Sequence, residues 1–167
     1  GRARISVKGD KGAKIVIDYA ERLDEDGYLS TLHQKDFVKT GSFQSETYIL
    51  KGSGVETWES EFTYHGFRYA RVTIIGNAKV LKAEARFINS AFEQIGSFES
   101  SCATLNALQK CTVRSYLSNF TGIPTDCPHR EKNGWTGDAQ LASETGLFNF
   151  DTAASYAQWL DTGRDVQ

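Results

Sequence analysis

The hydrophobic period of the sequence changes near Gly96, and this change most constrains how the chain can fold. Before it, apolar and polar residues tend to alternate, as they do through residues 81–87. A period of two places one set of side chains on one face of a β-strand. After Gly96, apolar residues recur at intervals of three and four, which is typical of an amphipathic helix. The sequence therefore predicts a β part followed by a helical part.

Turn signals separate the short β-like runs of the first part. Runs of β-branched and aromatic residues occupy positions 15–19, 47–50 and 67–74. Between such runs lie Gly- and Asp-containing turns, for example at residues 10–12 and 24–27. Many short strands with intervening turns predict antiparallel sheets packed as a β-sandwich, which we place at residues 1–94.

Three helices are predicted in the second part. The first spans about residues 98–120 and is ended by Gly122 and Pro124; its apolar stripe consists of Leu105, Leu108, Cys111, Val113, Tyr116, Leu117 and Phe120. The second begins at Asp138, and the third begins at Asp151 with Ala154, Ala157 and Leu160 in line. Apolar side chains such as Leu105, Tyr116, Leu117 and Leu160 are expected to lack a covering partner. Residues 95–167 are therefore predicted to be the first helices of a larger helical domain, within a longer protein.

Charge and composition exclude several partner classes. The chain has 19 basic and 21 acidic residues with no basic tract, so we expect no nucleic-acid partner. No apolar run approaches the roughly 20 residues that span a bilayer, so we expect no membrane partner. Cys102, Cys111 and Cys127 form no CxxC pair and are predicted to be buried free thiols. The three histidines lack ligand spacing, and no metal or cofactor is expected.

Residues 123–138, with the sequence IPTDCPHREKNGWTGD, concentrate groups suited to chemistry. Glycoside hydrolysis needs a carboxylic acid that protonates the departing oxygen, and Glu131 is the candidate. Asp126 and Asp138 could accept hydrogen bonds from sugar hydroxyls or tune that acid. The indole of Trp135 could pack on a sugar ring. Purely structural roles are the alternative: Asp138 as a helix N-cap, Asp126 as the holder of a turn, and Trp135 as a core residue.

Residues 126–139 resemble the signature of the bacterial α-L-rhamnosidases, glycoside hydrolase family 78. Residues 21–27, 61–69 and 149–151 resemble further segments of that family. The resemblance implies a multi-domain β-then-α protein, an antiparallel β-sandwich followed by the first helices of an (α/α)6 barrel. Some relatives carry one more residue between the Arg and the Trp of the signature, and this chain has the shorter form.

The resemblance also implies a role for each signature residue. Glu131 is the expected general acid, and Asp126 and Asp138 are the expected ligands of the rhamnose hydroxyls. Trp135 is expected to line the sugar site, and Arg130 to bind sugar or orient carboxylates. Enzymes of the family invert the configuration at the anomeric carbon and use a general base to activate water. That base is a Glu on a much later segment, and no residue of this chain can be assigned to it. We therefore expect this chain alone to be inactive.

The expected function is thus that of a fragment of an inverting α-L-rhamnosidase that removes terminal rhamnose from glycosides or plant polysaccharides. Its expected partners are a rhamnose-containing carbohydrate and the remainder of its own catalytic domain. The first alternative is a non-catalytic carbohydrate-binding β-sandwich module with a helical extension, and the second is a purely structural domain. The acidic signature disfavours the binding module, because such a module needs no proton donor.

Overall fold

A computed structural model describes residues 1–34 and 42–165. The chain forms two compact units, Gly1–Ile88 and Asn89–Gln167. Antiparallel strands form the first unit, and three helices dominate the second. The predicted order of β followed by α is confirmed. Within the described residues, no helix has the length and apolar character needed to cross a membrane.

Two three-stranded antiparallel sheets form the body of the first unit. Its strands are β1 (Arg2–Gly9), β2 (Lys14–Ala20), β3 (Arg22–Leu23), β4 (Leu29–Ser30), β5 (Ser45–Ile49), β6 (Val55–Glu59), β7 (Tyr69–Ile75) and β8 (Ala78–Arg86). One sheet has the order β6-β1-β8 and the other has the order β5-β2-β7. The central strands β1 and β2 therefore each have a neighbour on both sides.

The core of this unit comes from alternate residues of the two central strands. Ile5 and Val7 of β1 are fully buried, as are Ile15 and Ile17 of β2. These residues belong to one apolar cluster, so the two sheets bury their inner faces against each other. The predicted alternation of buried and more exposed residues is therefore confirmed for β1 and β2, the strands that have neighbours on both sides.

Strand β8 departs from the burial that its alternation suggests. Residues 81–87 are exposed, although their apolar members were expected to mark one face. The strand lies at the edge of its sheet, and its register with β1 shifts between Ser6 and Val7. Before that shift, Ala78 and Val80 pack against the core. A register shift of this kind marks a β-bulge, which changes the direction of the side chains that follow it.

A single carboxylate organises the turn that precedes β6. The side chain of Glu56 accepts hydrogen bonds from the Tyr48 hydroxyl at 2.6 Å and from the N–H groups of Lys51, Gly52 and Ser53 at 2.9, 2.8 and 3.2 Å. These donors stabilise the ionised form and lower the pKa of Glu56 to about 2. Glu56 therefore ties the 51–53 turn to the end of β5.

The second unit contains helices α1 (Ala103–Ser118), α2 (Thr136–Asn149) and α3 (Ala153–Asp165), with the short strands β9 (Phe120–Thr121) and β10 (Ile123–Pro124) between α1 and α2. The predicted span of 98–120 is too long for α1, which begins after Cys102. Gly122 does not end the helix; it occupies the β9–β10 turn with a φ of 83°. Glycine tolerates this left-handed conformation better than other residues.

Aromatic rings hold the second unit together. Tyr116, Phe120 and Phe150 are buried in one cluster, and Phe92 and Tyr156 pack against it. The Tyr116 and Phe150 rings are stacked with their centroids 5.9 Å apart. Stacked and edge-to-face aromatic contacts add to the free energy gained from burial alone. These contacts join α1 to the end of α2 and to α3.

The expectation that apolar side chains of the helices lack cover is confirmed for Leu105 and Leu160 and is wrong for Tyr116 and Leu117, which pack in or against the aromatic cluster. Leu105 and Leu108 are 45% and 61% exposed, so only the C-terminal half of the predicted α1 stripe is packed. Tyr116, expected to lack cover, is only 6% exposed. On α3, the predicted line of Ala154, Ala157 and Leu160 is exposed. Tyr156 of this helix meets the aromatic cluster instead.

The three thiols also differ from the prediction. Cys127 is buried, as expected, whereas Cys102 and Cys111 are exposed. Cys102 immediately precedes α1, where N–H groups at the helix start, those of Leu105 and Thr104, lower the pKa of its thiol. Cys111 lies on the exposed part of the α1 stripe.

The contact between α1 and α2 predicts a large effect for Gly146→Ala. A methyl group at Gly146 would lie 2.2 Å from the Tyr116 hydroxyl oxygen, and the stacked ring cannot swing away. We expect the free energy of unfolding to fall by about 1–3 kcal/mol, as for overpacked cores. Urea denaturation measures the change. Gly163→Ala on α3, where nothing lies within 4 Å, is the control and should gain about 0.5–1 kcal/mol. Equal effects of the two substitutions would contradict the described packing.

The pKa of Glu56 predicts an acid-sensitive contribution to stability. Because the pKa is lowered from 4.5 to about 2 on folding, the contribution is present above about pH 4.5 and is lost as the pH falls towards 2. Glu56→Gln should be less stable than the parent at pH 6, and its stability should depend less on pH between 5 and 2. Denaturant unfolding at several pH values measures this. Glu25→Gln, in an exposed turn, should keep the parental acid dependence.

Candidate active site

The signature segment begins at the end of α1, to which it is tied by Thr125. The N–H and hydroxyl groups of Thr125 both donate to the carbonyl of Asn119, at 2.7 and 3.0 Å. Asn119 is the residue that follows the last turn of α1. The carbonyl groups at a helix end lack partners within the helix, so an added donor pair stabilises this junction. The loop that follows therefore leaves α1 at a fixed point.

A reciprocal pair of hydrogen bonds closes the loop between Asp126 and Asn133. The N–H of Asp126 donates to the Asn133 carbonyl at 3.0 Å, and the Asn133 N–H donates to Asp126 Oδ1 at 3.0 Å. Lys132 precedes Asn133 with a φ of 55°, in the left-handed region. We call residues 126–133 the clasp loop. Asp126 therefore does hold a turn, which is the purely structural role considered for it from the sequence.

Glu131 lies within the clasp loop and is held at three points. Its backbone N–H donates to the buried Cys127 Sγ at 3.3 Å. Arg130 Nε donates to Glu131 Oε1 at 3.1 Å, and Trp135 Nε1 donates to Glu131 Oε2 at 3.1 Å. The Glu131 side chain is 20% exposed. Three of the sequence-predicted residues thus form one hydrogen-bonded group with a defined carboxylate orientation.

Two other predicted residues, Asp126 and Asp138, line a cleft between α1 and α2. The cleft has a volume of about 530 Å³, and its wall consists of Cys111, Thr112, Ser115, Tyr116, Asn119, Phe120, Pro124, Thr125, Asp126, Asp138, Ala139, Leu141, Ala142 and Thr145. Pockets of this size commonly hold small ligands. Glu131, Arg130 and Trp135 are not part of that wall, so the predicted residues fall into two groups joined by the clasp loop.

Asp138 and Trp135 do not have the purely structural roles considered from the sequence, a helix N-cap for Asp138 and a core position for Trp135. The N-cap position of α2 is occupied by Trp135, and the helix starts at Thr136 rather than at Asp138. Asp138 lies in the first turn, where a negative charge faces the positive end of the helix dipole. Trp135 is 53% exposed and is therefore not a core residue. Both side chains remain available for roles outside the core.

The wall that α1 contributes to the cleft was missed from the sequence. Thr112, Ser115 and Asn119 lie at helical spacing and carry polar groups into the lining. The sequence prediction followed only the apolar positions of this helix, although the polar positions repeat at the same intervals. Burial, followed by the hydrogen bond to Tyr156, raises the pKa of Tyr116 at the base of this wall. Its phenol is therefore neutral at any ordinary pH.

No candidate metal site is present among the described residues, where no group of three or more His, Cys, Asp or Glu side chains could hold an ion. The site therefore offers carboxylates, a guanidinium group and an indole to a ligand.

Comparison with known proteins assigns both units to one family. The family model for the bacterial alpha-L-rhamnosidase concanavalin-like domain matches residues 1–90. The model for the bacterial alpha-L-rhamnosidase 6 hairpin glycosidase domain matches residues 93–167. The chain belongs to the bacterial α-L-rhamnosidase family. The resemblance inferred from residues 126–139 is confirmed.

Individual relatives of this chain agree with the assignment. An alpha-L-rhamnosidase of Streptomyces avermitilis is 34% identical over the full chain, and one of Formosa agariphila is 36% identical over 93% of it. The structure of the Dictyoglumus thermophilum alpha-L-rhamnosidase matches the whole chain with a TM-score of 0.85 and 37% identity. That of the S. avermitilis enzyme complexed with L-rhamnose matches with a TM-score of 0.79 and 31% identity. The chain spans only 16–19% of the length of these proteins.

Proposed function

We propose that this chain is part of an inverting α-L-rhamnosidase and that Glu131 is its general acid. The observation that carries the proposal is the clasp loop, in which Arg130 orients the Glu131 carboxylate, together with the cleft that both Asp126 and Asp138 line. A general acid must be held in one orientation to protonate the departing glycosidic oxygen. Family membership supports this assignment, because the segment matches the family's signature.

The cleft supports L-rhamnose as the bound sugar. Asp126 and Asp138 both line the cleft, and charged acceptors bind sugar hydroxyls more strongly than neutral ones. Trp135 offers exposed ring faces to the apolar side of a pyranose. Arg130 completes the group, either on the sugar or on Glu131. The related S. avermitilis enzyme was crystallised with L-rhamnose.

Inversion requires a second carboxylate that activates water on the opposite face of the sugar, roughly 6.5–9.5 Å from the acid. We assign no residue of this chain to that role, since Glu144 and Asp151 have no support from the signature. We propose that the base and further helices of an (α/α)6 barrel come from the remainder of the catalytic domain. In this proposal residues 1–94 are the β-sandwich domain and residues 95–167 are the first helices of the barrel; of these, Val166 and Gln167 lie outside the described residues.

A carbohydrate-binding module is the weaker alternative. Its test compares rhamnose binding by Trp135→Ala and Trp58→Ala. Trp58 packs against the core of the first unit and stacks on Tyr48 at a centroid distance of 5.3 Å. An indole that is used for packing is a poor platform for a sugar. Loss of binding only with Trp58→Ala would favour the module.

The role of Glu131 predicts a dependence on the leaving group. In the complete enzyme, Glu131→Gln should reduce kcat/KM for a rhamnoside with a poor leaving group by roughly 10²–10⁴-fold, the usual contribution of general acid catalysis. An activated aryl rhamnoside should lose much less, because its leaving group needs little protonation. Glu144→Gln, exposed on α2, is the control and should leave both rates unchanged. Equal losses on the two substrates would assign Glu131 to binding or folding instead.

The roles of Asp126 and Asp138 predict a loss of affinity. Asp126→Asn and Asp138→Asn should each weaken rhamnose binding by roughly tenfold or more, because a charged acceptor is replaced by a neutral one. Turnover should fall as well. Calorimetric titration with rhamnose measures the affinity of the complete enzyme. Asp161→Asn on α3, an exposed position, should bind as the parent does. Unchanged affinity in both cleft variants would exclude the cleft as the sugar site.

A further inference from the structure

The core between the two sheets of the first unit is closed along one side and open along the other. On the side of β5 and β6, the residues of the inner faces are covered: Glu46 and Glu56 are buried, and the rings of Tyr48 and Trp58 stack with their centroids 5.3 Å apart. On the side of β7 and β8, every residue of β7 is exposed, and so are most residues of β8. The two sides of the same core therefore differ in cover.

The register of β7 shows that exposed apolar side chains of this strand lie on the inner face of its sheet. Val72 is paired with Ile17, and Ile74 is paired with Ile15. Directly opposite residues of antiparallel strands share one face of the sheet. Ile15 and Ile17 are fully buried, whereas Val72 and Ile74 are 37% and 42% exposed. The described residues therefore leave the inner face of β7 incompletely covered.

The outer edge of β7 also lacks the features that usually prevent a sheet edge from pairing with another strand. Charged side chains, prolines and bulges serve that purpose in natural sheets. Strand β8, at the edge of the other sheet, has Lys79, Lys82, Glu84 and a register shift. Strand β7 has the sequence YARVTII, in which the one charged residue, Arg71, is paired with Asp18 of β2. Within the described part of the chain, β2 is the only strand that pairs with β7.

We propose that the outer edge of β7 binds a β-strand from the part of the same polypeptide that lies outside residues 1–167. The proposal rests on the proposed function, in which this chain is part of a longer enzyme, and the chain spans only 16–19% of the length of the relatives described above. The added strand extends the β5-β2-β7 sheet through backbone hydrogen bonds, and its alternate apolar side chains cover Val72 and Ile74. A strand of the same polypeptide is favoured over a second copy, because an intramolecular partner acts at a high effective concentration.

Thiol labelling of cysteine variants of the complete enzyme measures the cover on β7. Val72→Cys places a thiol on the inner face, and Thr73→Cys, the matched control, places one on the opposite face of the same strand. Each labelling rate is divided by the rate of the same variant in denaturant, and labelled peptides are identified by mass spectrometry. We expect Val72→Cys to react roughly tenfold or more slowly than Thr73→Cys, because a covered thiol reacts only after local opening. Equal corrected rates would overturn the proposal. A cooperative thermal transition shows that each variant is folded.

A photo-crosslink identifies what covers the strand. A diazirine analogue of leucine replaces Val72 in the complete enzyme, and the crosslinked peptides are identified after irradiation. The expected product has the mass of one polypeptide and joins β7 to a peptide outside residues 1–167. A product with the mass of two polypeptides would identify a second copy as the occupant. A partner peptide within residues 1–167 would show that this chain covers β7 itself. Either of these results overturns the proposal.

Failure of strand addition and failure of the proposed function give different results. The labelling and the crosslink report on β7 alone, whereas the leaving-group dependence of Glu131→Gln reports on the general acid. An uncovered Val72 together with that dependence would reject the added strand and leave the acid assigned. Loss of the dependence would reject the proposed function, whatever the state of β7.

Discussion

The packing of Tyr116 against α2 fixes the spacing of the two helices that flank the cleft. Its ring is stacked on Phe150, and its hydroxyl group approaches Gly146 closely enough to exclude any side chain there. Since Asn119 lies one turn further along α1, the same packing determines where the clasp loop leaves this helix. The positions of Asp126 and Asp138 in one cleft therefore depend on the packing of Tyr116, which itself forms part of the cleft wall.

The fold could be predicted from the sequence wherever local pattern and tertiary packing agree. Alternation of apolar and polar residues identified β1 and β2, because each of these central strands buries one of its two faces in the core between the sheets. It failed for residues 81–87, since an edge position and a register shift are not encoded in the period. The length of α1 was overestimated because Phe120 continues the apolar spacing from the hairpin that follows the helix. Periodicity does not distinguish a further helical turn from a strand residue that enters the same core.

For the candidate site, the sequence supplied the residue types and the family signature supplied their expected roles. Neither could provide the partners of Glu131, because the bond from its N–H to Cys127 Sγ and the bond from the Trp135 indole depend on the path of the backbone. The left-handed Lys132 was equally hidden, since lysine carries no local signal for that conformation. The polar wall of α1 does carry a signal, the helical spacing of Thr112, Ser115 and Asn119, but a prediction from apolar positions alone does not use it.

The paired bonds between Asp126 and Asn133 make the clasp loop a closed ring of covalent and hydrogen bonds. The number of residues within such a ring is part of its geometry, so a single inserted residue cannot be absorbed by a neighbouring turn. A residue inserted between Asp126 and Asn133 would lengthen the ring, so its two closing bonds would have to form along a different backbone path. In the design of chimaeric enzymes, exchange of residues 126–133 as one unit therefore keeps both partners of the closing bonds together, whereas exchange of part of the segment separates them.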